Sequence, residues 1–245
     1  MNQLIHNIQI KTKSTKHLIL QHYLMNPLLT KDQKKMDVRV YFIIASIHPL
    51  VVLYHDGYLR VALDAYDSKF GRGKRGHLTN ANIQKANNLL AYNQEKESTR
   101  RSFDHLEPLL HSTNNLNTVR CQFQKALVMA VQAVRKPILT SAERCPHCFS
   151  LLGADFIIDD TTNNNVWISE IQSGPGLPTN TATTKLFFTR MLPTVVDLVN
   201  EIDEKRKQQL PLWPLQKRGQ FQLIIHEDST VHVDARDVMS ACSIV

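Results

Sequence analysis

Long apolar runs and glycine are both scarce in this sequence. No apolar run approaches the roughly 18 residues needed to span a bilayer, and the first residues, MNQLIHNIQIKTK, lack the apolar stretch and small-residue cleavage site of a signal peptide. The 245 residues contain eight glycines, and the first of them is Gly57. We therefore expect a cytoplasmic protein with no membrane span.

Cysteine is also sparse, with four residues at Cys121, Cys145, Cys148 and Cys242. So few cysteines do not form the dense framework of a small secreted domain, and we expect reduced thiols in a cytosolic protein. Cys145-Pro-His-Cys148 is a single CxxC motif with no second pair at ligand spacing. Zinc or redox chemistry at this motif is the alternative to two reduced thiols.

Positive charge is in excess, because Lys and Arg number 29 against 22 Asp and Glu, for a formal net charge of +7. This surplus favours an acidic partner, whether nucleic acid, an anionic membrane or an acidic protein segment. Nucleic acid is disfavoured because the aromatic residues are not interleaved with the basic runs, as stacking on bases requires. A hydrophobic content of 42% suffices for one sizeable core or two small ones.

The segment Leu151–Gln172 has the pattern of a β-hairpin. Two short apolar runs rich in β-branched and aromatic residues flank a turn-prone cluster of Asp, Thr and Asn at 160–165. If Asp155 stands opposite Glu170, two carboxylates lie side by side on one face. The same register places Ile157 opposite Ile168 and Asp159 opposite Val166.

Two neighbouring carboxylates need a compensating charge, because their repulsion is roughly 4 kcal/mol at an effective dielectric near 20. A divalent cation held by Asp155, Glu170 and the amide oxygen of Gln172 supplies it, and such an oxygen-only donor set suits Mg²⁺ beside a phosphate. In the alternative interpretation the register differs by one or two residues, and each carboxylate is solvated at a strand end.

Two further segments are predicted to be strands with polar residues at selected positions. Along 34–46, Lys35, Asp37 and Arg39 recur at period two, so they share one face of a strand; this face is either a polar site or a solvated strand end. Within 51–65, Asp56-Gly57 between two apolar runs predicts a hairpin turn, with Arg60 on the returning strand.

Helices are predicted on either side of the hairpin. Apolar residues recur at three- and four-residue steps over about 118–136 and again over about 184–208. The segment 87–117, which precedes the first of these helices, is polar and irregular, which indicates an insertion or surface loop. Thr79 and Asn80 are suited to capping the turn that follows them.

Taken in order, several blocks of this chain resemble the tubulin tyrosine ligase-like family of ATP-dependent amino-acid ligases. The blocks are LQHYLMNPLL at 20–29, KMDVRVY at 35–41, HPLVVLYHDGYLRVA at 48–62, HLTNANIQK at 77–85, and GADFIID with VWISEIQ at 153–159 and 166–172. Each block is weak alone. Their shared order and spacing give the resemblance its specificity over roughly residues 18–180.

The resemblance implies an α+β, ATP-grasp-like fold, mainly an antiparallel sheet flanked by helices, with the N-terminal lobe largely missing. Residues 1–210 correspond to the C-terminal portion of that domain, including the insertion at 87–117, and 211–245 form a C-terminal extension. Family members carry a glycine-containing phosphate loop upstream of the adenine hinge. Residues 1–20 contain no glycine with which to build it.

The resemblance also implies site residues, position by position. The adenine pocket would be lined by Gln21, Tyr23 and Leu24, and the nucleotide or substrate would be contacted by Lys35 and Asp37. The catalytic pair, Arg39 and Arg60, would hold phosphate or the amino-acid carboxylate, and Thr79 and Asn80 would lie by the phosphates and ribose. Mg²⁺ would be bound by Asp155, Glu170 and Gln172. The family usually has Asn at the third metal position. Gln172 keeps the amide oxygen there but moves it out by one methylene.

The implied function is an ATP- and Mg²⁺-dependent ligase of the tubulin polyglutamylase or tyrosine ligase type, rather than the glycylating type. It would add a free amino acid, glutamate as the first choice, to tubulin through an acyl phosphate. Its partners would be the acidic tails of tubulin, with no nucleic acid involved, at the cytoskeleton or cilium. The alternative is a non-catalytic tubulin-binding paralogue, or a truncated fragment that has lost the phosphate loop.

Overall fold

The computed structural model describes residues 21–69, 74–142, 145 and 147–227. Within these residues the strands are β1 (Lys34–Ile47), β2 (Leu50–Ala65), β3 (Arg100–Ser102), β4 (Ser150–Ile158), β5 (Val166–Gln172) and β6 (Gln222–His226). The α-helices are α1 (Ala81–Asn87), α2 (Leu89–Glu95), α3 (Leu116–Ala133), α4 (Arg135–Ala142) and α5 (Ala182–Lys207). Short 3₁₀ turns cover Lys74–Gly76, Lys96–Thr99 and Phe103–Leu109.

All six strands belong to one antiparallel sheet, in which five follow the order β3-β2-β1-β4-β5 and β6 pairs with β2. The long strand β2 pairs along one edge with β1, and along its other edge with β3 near Arg60 and with β6 near Val52. The long β-branched and aromatic runs of β1 and β2 favour this central position. The predicted α+β fold with a mainly antiparallel sheet flanked by helices is confirmed.

The two faces of the sheet are covered differently. One face packs against α3 through a buried cluster that includes Val38, Val40, Phe42, Leu59, Phe156, Val119, Phe123 and Leu127. The opposite face packs against α5 through Tyr41, Ile43, Val51, Leu53, Tyr58, Phe188, Met191, Val195 and Leu198. Because side chains alternate along a strand, Lys35, Asp37 and Arg39 share the α5 face with Tyr41. The polar residues of β1 therefore continue the face that α5 covers.

The predicted hairpin turn at Asp56-Gly57 is wrong. Strand β2 runs unbroken from Leu50 to Ala65, and the chain reverses before it, between β1 and β2. Arg39 stands opposite Tyr58 and Tyr41 opposite His55, so Asp56 and Gly57 together face a single residue of β1. Asp56-Gly57 is therefore a β-bulge, which uses the same small and turn-prone residues as a tight turn.

Gly57 is required here by close approach of the two backbones. A Cβ atom built on Gly57 would lie 1.8 Å from the carbonyl oxygen of Arg39. Real Cβ atoms do not come so close to another heavy atom. The glycine thus lets β2 approach β1 at the residue whose side chain enters the polar cluster described below.

The predicted hairpin at 151–172 is confirmed as β4 and β5, and Asp155 stands opposite Glu170 as expected. Beyond that pair the predicted register is wrong, because Ile157 faces Trp167 and Ile158 faces Val166. Phe156 pairs with Ile168 directly after the Asp155–Glu170 pair, so Ser169 is an extra residue on β5. This second bulge shifts every later pair by one position.

Asp159 fixes the turn between β4 and β5. Its carboxylate accepts hydrogen bonds from the backbone amides of Asn165 (2.9 Å) and Thr161 (3.3 Å), and from the indole nitrogen of Trp167 (3.2 Å). Burial alone would raise the pKa of Asp159, but the hydrogen bonds from Thr161, Trp167 and Asn165 outweigh it, so the pKa lies below its ordinary value of 3.8. The charged form of Asp159 is therefore stabilised in the folded protein.

Replacing Asp159 with Asn is expected to lower the free energy of unfolding at pH 7 by about 1–3 kcal/mol, because hydrogen bonds to a charged acceptor are lost. A lowered folded pKa stabilises the fold above the unfolded pKa, and this contribution disappears as the pH falls through the folded value. The difference between variant and wild type should therefore shrink below about pH 4. Urea unfolding at several pH values measures it.

The neighbouring Asp160 provides the matched control, because its carboxylate makes an exposed contact of 3.0 Å with His111. Exposed pairs of this kind contribute roughly 0–1 kcal/mol. Asp160→Asn should therefore leave the unfolding free energy nearly unchanged at both pH 7 and pH 4. Equal effects of the two substitutions would contradict the role given to Asp159.

Both predicted long helices are present, as α3 and α5, and the side chains of Asn115 and Thr181 cap their first turns. The prediction of irregular structure over 87–117 is wrong, since that segment contains all of α2 and two 3₁₀ turns, and its strand β3 joins the sheet. Whether it is an insertion relative to the family stays a prediction. Short elements without a clear period leave little signal in a sequence.

The expectation of reduced thiols is also wrong for the CxxC motif, because Cys145 and Cys148 form a disulfide with their Cα atoms 5.4 Å apart. Cys121 is disulfide-bonded as well. Cys242 lies outside the described residues. A CxxC spacing brings two Cβ atoms within bonding reach, whatever the compartment.

The segment after α5 packs on the same sheet. Leu212, Leu215 and Phe221 are buried in the α5-side core, and the Glu201 carboxylate accepts from the amides of Gln216 (2.8 Å) and Lys217 (2.6 Å). The domain division at residue 210 stays a prediction. No helix in the described part of the chain is long and apolar enough to cross a membrane.

Candidate functional site

Four charged side chains of β1, β2 and β4 form a buried cluster on the sheet face that α5 partly covers. The register pairs Asp37 with Arg60 and Arg39 with Asp155, so each acid lies beside a base. Arg60 bridges the two acids, donating from Nε to Asp37 Oδ1 (2.5 Å) and from Nη2 to Asp155 Oδ2 (2.6 Å). Arg39 donates to both oxygens of Asp155.

Burial makes these ion pairs mutually dependent. Asp155 is 4% exposed, and its two carboxylate oxygens are both engaged by guanidinium groups. Burial by itself lowers the pKa of Arg39 and of Arg60, but the hydrogen bonds and charge of Asp155 and Asp37 outweigh it, and both pKa values are raised. Both arginines are therefore fixed cations at physiological pH.

The loop before α1 joins this cluster through Thr79. Its hydroxyl donates to Asp37 Oδ2, so both oxygens of Asp37 are occupied. Asn80 is the N-cap of α1, with its side chain accepting from the amide of Asn82 at 2.9 Å. The predicted capping role is thus confirmed for Asn80, while Thr79 positions a carboxylate.

Lys35 lies at the other end of the same face, where Tyr23 meets it. The ammonium of Lys35 donates to the Tyr23 hydroxyl at 2.9 Å, and that hydroxyl is 2.9 Å from Nδ1 of His77. Burial lowers the pKa of Lys35, and the charge of Asp37 opposes this. Gln21 is exposed and Leu24 half-buried; within the described residues no hydrogen bond links Gln21 to the cluster.

The two remaining predicted ligands, Glu170 and Gln172, lie on the edge strand β5. Gln172 Oε1 accepts from Arg39 Nη2 at 3.3 Å, which brings its amide oxygen to the cluster. Glu170 is exposed, and no cation of the described residues lies within ion-pair distance of its carboxylate. The structure therefore aligns Asp155, Glu170 and Gln172 along one side of the hairpin, with Asp155 buried and Glu170 open.

Comparison with known proteins identifies the family. A family model described as the tubulin-tyrosine ligase family matches residues 1–209, most of the chain. The chain belongs to the tubulin-tyrosine ligase family. This agrees with the resemblance found in the sequence blocks and with the ATP-grasp-like fold that it implied.

Individual relatives match over most of this chain but only part of their own length. The protein polyglycylase TTLL10 of Rattus norvegicus is 31% identical over 218 residues, 86% of this chain and 31% of the relative. The human inactive polyglycylase TTLL10 is 33% identical over 215 residues, 84% of this chain and 31% of the relative. Tubulin glycylase 3D of Tetrahymena thermophila is 30% identical over 210 residues, which are 82% of this chain and 19% of the relative. The chain thus spans a third or less of these relatives.

The donor set of this tubulin-tyrosine ligase family member fits a metal that arrives on a polyphosphate rather than a resident metal. No group of three His, Cys, Asp or Glu side chains in the described residues could hold a cation. Both oxygens of Asp155 are already paired with arginine. Mg²⁺ commonly takes one or two carboxylates and completes its shell with water and substrate phosphate oxygens. Glu170 and Gln172 present such oxygens beside Asp155.

Sequence reasoning missed two residues of this region. Arg100 was not singled out because the segment around it has no readable period, yet β3 brings it opposite Arg60. Gly57 was assigned to a turn, although its contact with the Arg39 backbone positions the cluster. The only sequence signal for Gly57 was a glycine inside an otherwise continuous apolar run, which indicates a bulge as well as a turn.

Proposed function

We propose that this chain carries the nucleotide and metal site of an ATP- and Mg²⁺-dependent ligase that adds an amino acid to tubulin. The supporting observation is the buried set of Arg39 and Arg60 with Asp37 and Asp155, beside the open carboxylate of Glu170. Fixed cations next to oxygen donors suit a reaction in which a phosphoryl group moves between two oxygens. The acidic tails of tubulin suit the net charge of +7.

The chemistry has two steps. The γ-phosphoryl group of ATP passes to a carboxylate oxygen of the acceptor, the bond from phosphorus to the oxygen of ADP breaks, and an acyl phosphate forms. The amine of the free amino acid then attacks the acyl carbon, phosphate leaves with the bonding electrons, and the nitrogen loses a proton as the amide forms. Bound Mg²⁺ would neutralise charge on the phosphates.

The side chains of this site hold and orient the reactants. Arg39 and Arg60 are proposed as the catalytic pair, because their fixed positive charge faces the developing negative charge of the transferred group. Tyr23, Gln21 and Leu24 are proposed to line the adenine pocket. Lys35, Asp37, Thr79 and Asn80 are proposed to lie along the nucleotide, and Asp155, Glu170 and Gln172 to hold Mg²⁺.

Glu170→Gln provides the most direct test, because Glu170 is exposed and unpaired among the described residues. We expect ATP affinity in the presence of Mg²⁺ to fall by roughly 10- to 100-fold, as for loss of a metal-site group, with the melting temperature unchanged. Calorimetric titration of ATP with Mg²⁺ and with EDTA measures this. Glu204→Gln, at an exposed position on α5, is the control. Equal Mg²⁺-dependent affinity in both variants would refute the metal site.

The amino acid is a finer proposal. The sequence blocks favour glutamate, which we propose as the donor substrate, with glycine as the second candidate because the three relatives above are named polyglycylase or glycylase. Incubating the protein and ATP with isotopically labelled glutamate or glycine and tubulin decides between them. Transfer of label from glycine alone would overturn the choice of glutamate.

A non-catalytic tubulin-binding role is the second candidate function. It is favoured by Gln172 at a position that is usually Asn in the family, and by the human relative named an inactive polyglycylase. Co-sedimentation with microtubules that weakens steeply with salt, together with no amino-acid transfer, would support it. In either case we propose a cytoplasmic location, at the cytoskeleton or in the cilium.

A further inference from the structure

Arg100 is a buried cation on the face of the charged cluster that the proposed function does not use. It lies in β3 directly opposite Arg60, which itself stands opposite Asp37. Directly opposed residues of antiparallel strands project from the same face. Arg100 therefore faces the same space as the cluster, and it is only 7% exposed.

Arg100 has no counter-ion among the described residues. Its guanidinium donates to the backbone oxygen of Thr99 at 2.7 Å, and no described carboxylate lies within ion-pair distance of it. Asp37 acts on Arg100 only from beyond ion-pair distance, while its two oxygens accept from Arg60 and Thr79. Burial lowers the pKa of Arg100, with the charges of Tyr58 and Tyr92 opposing it. Burying an unpaired cation is unfavourable, so the position is explained by an anionic ligand.

The backbone around Arg100 is held firmly in place. The Thr183 hydroxyl donates to the Arg100 carbonyl at 3.2 Å, and the Ala182 amide donates to Glu97 Oε2 at 2.9 Å. These contacts fasten both ends of the short segment before β3 to the start of α5. A cation anchored in this way loses little freedom when it binds a ligand.

We propose that Arg100 binds the α-carboxylate of the free amino acid that the enzyme attaches. This inference rests on the proposed function. Three strand spacings separate the backbones of Arg100 and Asp155 in the sheet order, about 14 Å in total, and the Asp155 end already has Arg39 and Arg60 to meet a phosphoryl group. The reaction supplies a second anion, because the amino acid attacks through its amine and keeps its own carboxylate.

The test compares Arg100→Gln and Arg100→Lys with wild type in the full chain. For Arg100→Gln we expect the KM for the amino acid to rise roughly 10- to 100-fold, the effect of losing a charge-assisted hydrogen-bonded pair, with the dissociation constant for Mg²⁺-ATP unchanged. Arg100→Lys should recover part of the loss. Arg101→Gln is the matched control, since Arg101 is the next residue of β3, projects from the opposite face and pairs with Asp32.

A substrate analogue makes the assignment specific. Wild type should prefer the amino acid over its α-amide, which lacks the negative charge of the α-carboxylate, whereas Arg100→Gln should treat the two alike. An unchanged preference in Arg100→Gln would overturn the proposal. A weaker dissociation constant for Mg²⁺-ATP with an unchanged KM for the amino acid would assign Arg100 to phosphate instead.

Two measurements separate this proposal from its alternatives. Arg100→Met should melt at or above the wild-type temperature, because an unpaired buried charge has been removed. If Arg100 had only a structural role, Arg100→Met would melt below the wild-type temperature. If the wild-type chain transfers no amino acid, the proposed ligase fails, and direct titration of glutamate and glycine onto wild type and Arg100→Gln still tests Arg100. Equal amino-acid affinity of wild type and Arg100→Gln, or no binding to either protein, would overturn the role proposed for Arg100.

Discussion

Asp155→Ala is expected to lower the free energy of unfolding by about 3–5 kcal/mol, the usual effect of removing one member of a buried ion pair. The carboxylate holds two guanidinium groups, from Arg39 and Arg60, in a region that water barely reaches. Without it, Arg60 retains Asp37, but among the described residues Arg39 is left with only the amide oxygen of Gln172. Binding of Mg²⁺-ATP should be lost at the same time.

Urea unfolding of Asp155→Ala and of its register partner, Glu170→Ala, separates stability from binding. Glu170 is exposed, so its substitution should change the unfolding free energy by no more than about 0.5 kcal/mol while still abolishing Mg²⁺-dependent ATP binding. An Asp155→Ala protein as stable as wild type would mean that the arginines have other partners. ATP binding retained in both variants would remove the basis of the metal site.

Gly57→Ala is expected to destabilise the fold by about 3 kcal/mol or more, at or beyond the upper end for overpacking. The new methyl group would lie 1.8 Å from the carbonyl oxygen of Arg39, so β1 and β2 must move apart. Backbone atoms cannot yield as a flexible side chain does. Because Arg39 enters the charged cluster, ATP affinity should also decrease in the fraction that folds.

Gly174→Ala is the matched control for Gly57→Ala, since nothing lies within 4 Å of the Cβ position at Gly174. At such an open site alanine leaves stability unchanged or raises it by up to about 1 kcal/mol, because it restricts the unfolded chain. Thermal or urea unfolding of both variants provides the comparison. A Gly57→Ala protein that matches the control would contradict the bulge geometry.

Alternation of side chains was enough to predict much of this site. Period two placed Lys35, Asp37 and Arg39 on one face, and the hairpin pattern placed Asp155 opposite Glu170. These predictions depend only on local geometry within a strand or across one short loop. They do not depend on knowing which strands are neighbours in the sheet.

Features that depend on distant partners were not predictable. The bulges at Gly57 and Ser169 arise from how two strands fit together, and the same Asp-Gly dipeptide serves a turn in a free hairpin. The position of Arg100 opposite Arg60 requires that β3 add to the sheet after about 40 intervening residues. Three residues have too little pattern to indicate that pairing.

Strand β5 has a hydrogen-bonded neighbour on one side only within the described residues, and its five inner residues are exposed. A strand held by one ladder frays more easily than one enclosed between two, so its amide protons should exchange with solvent faster than those of β4. Asp155 thus belongs to the rigid interior of the sheet, whereas Glu170 and Gln172 lie on an edge strand that opens locally more often. A partner that binds to β5 would therefore restrict the motion of Glu170 and Gln172 and so strengthen the proposed Mg²⁺ site from outside it.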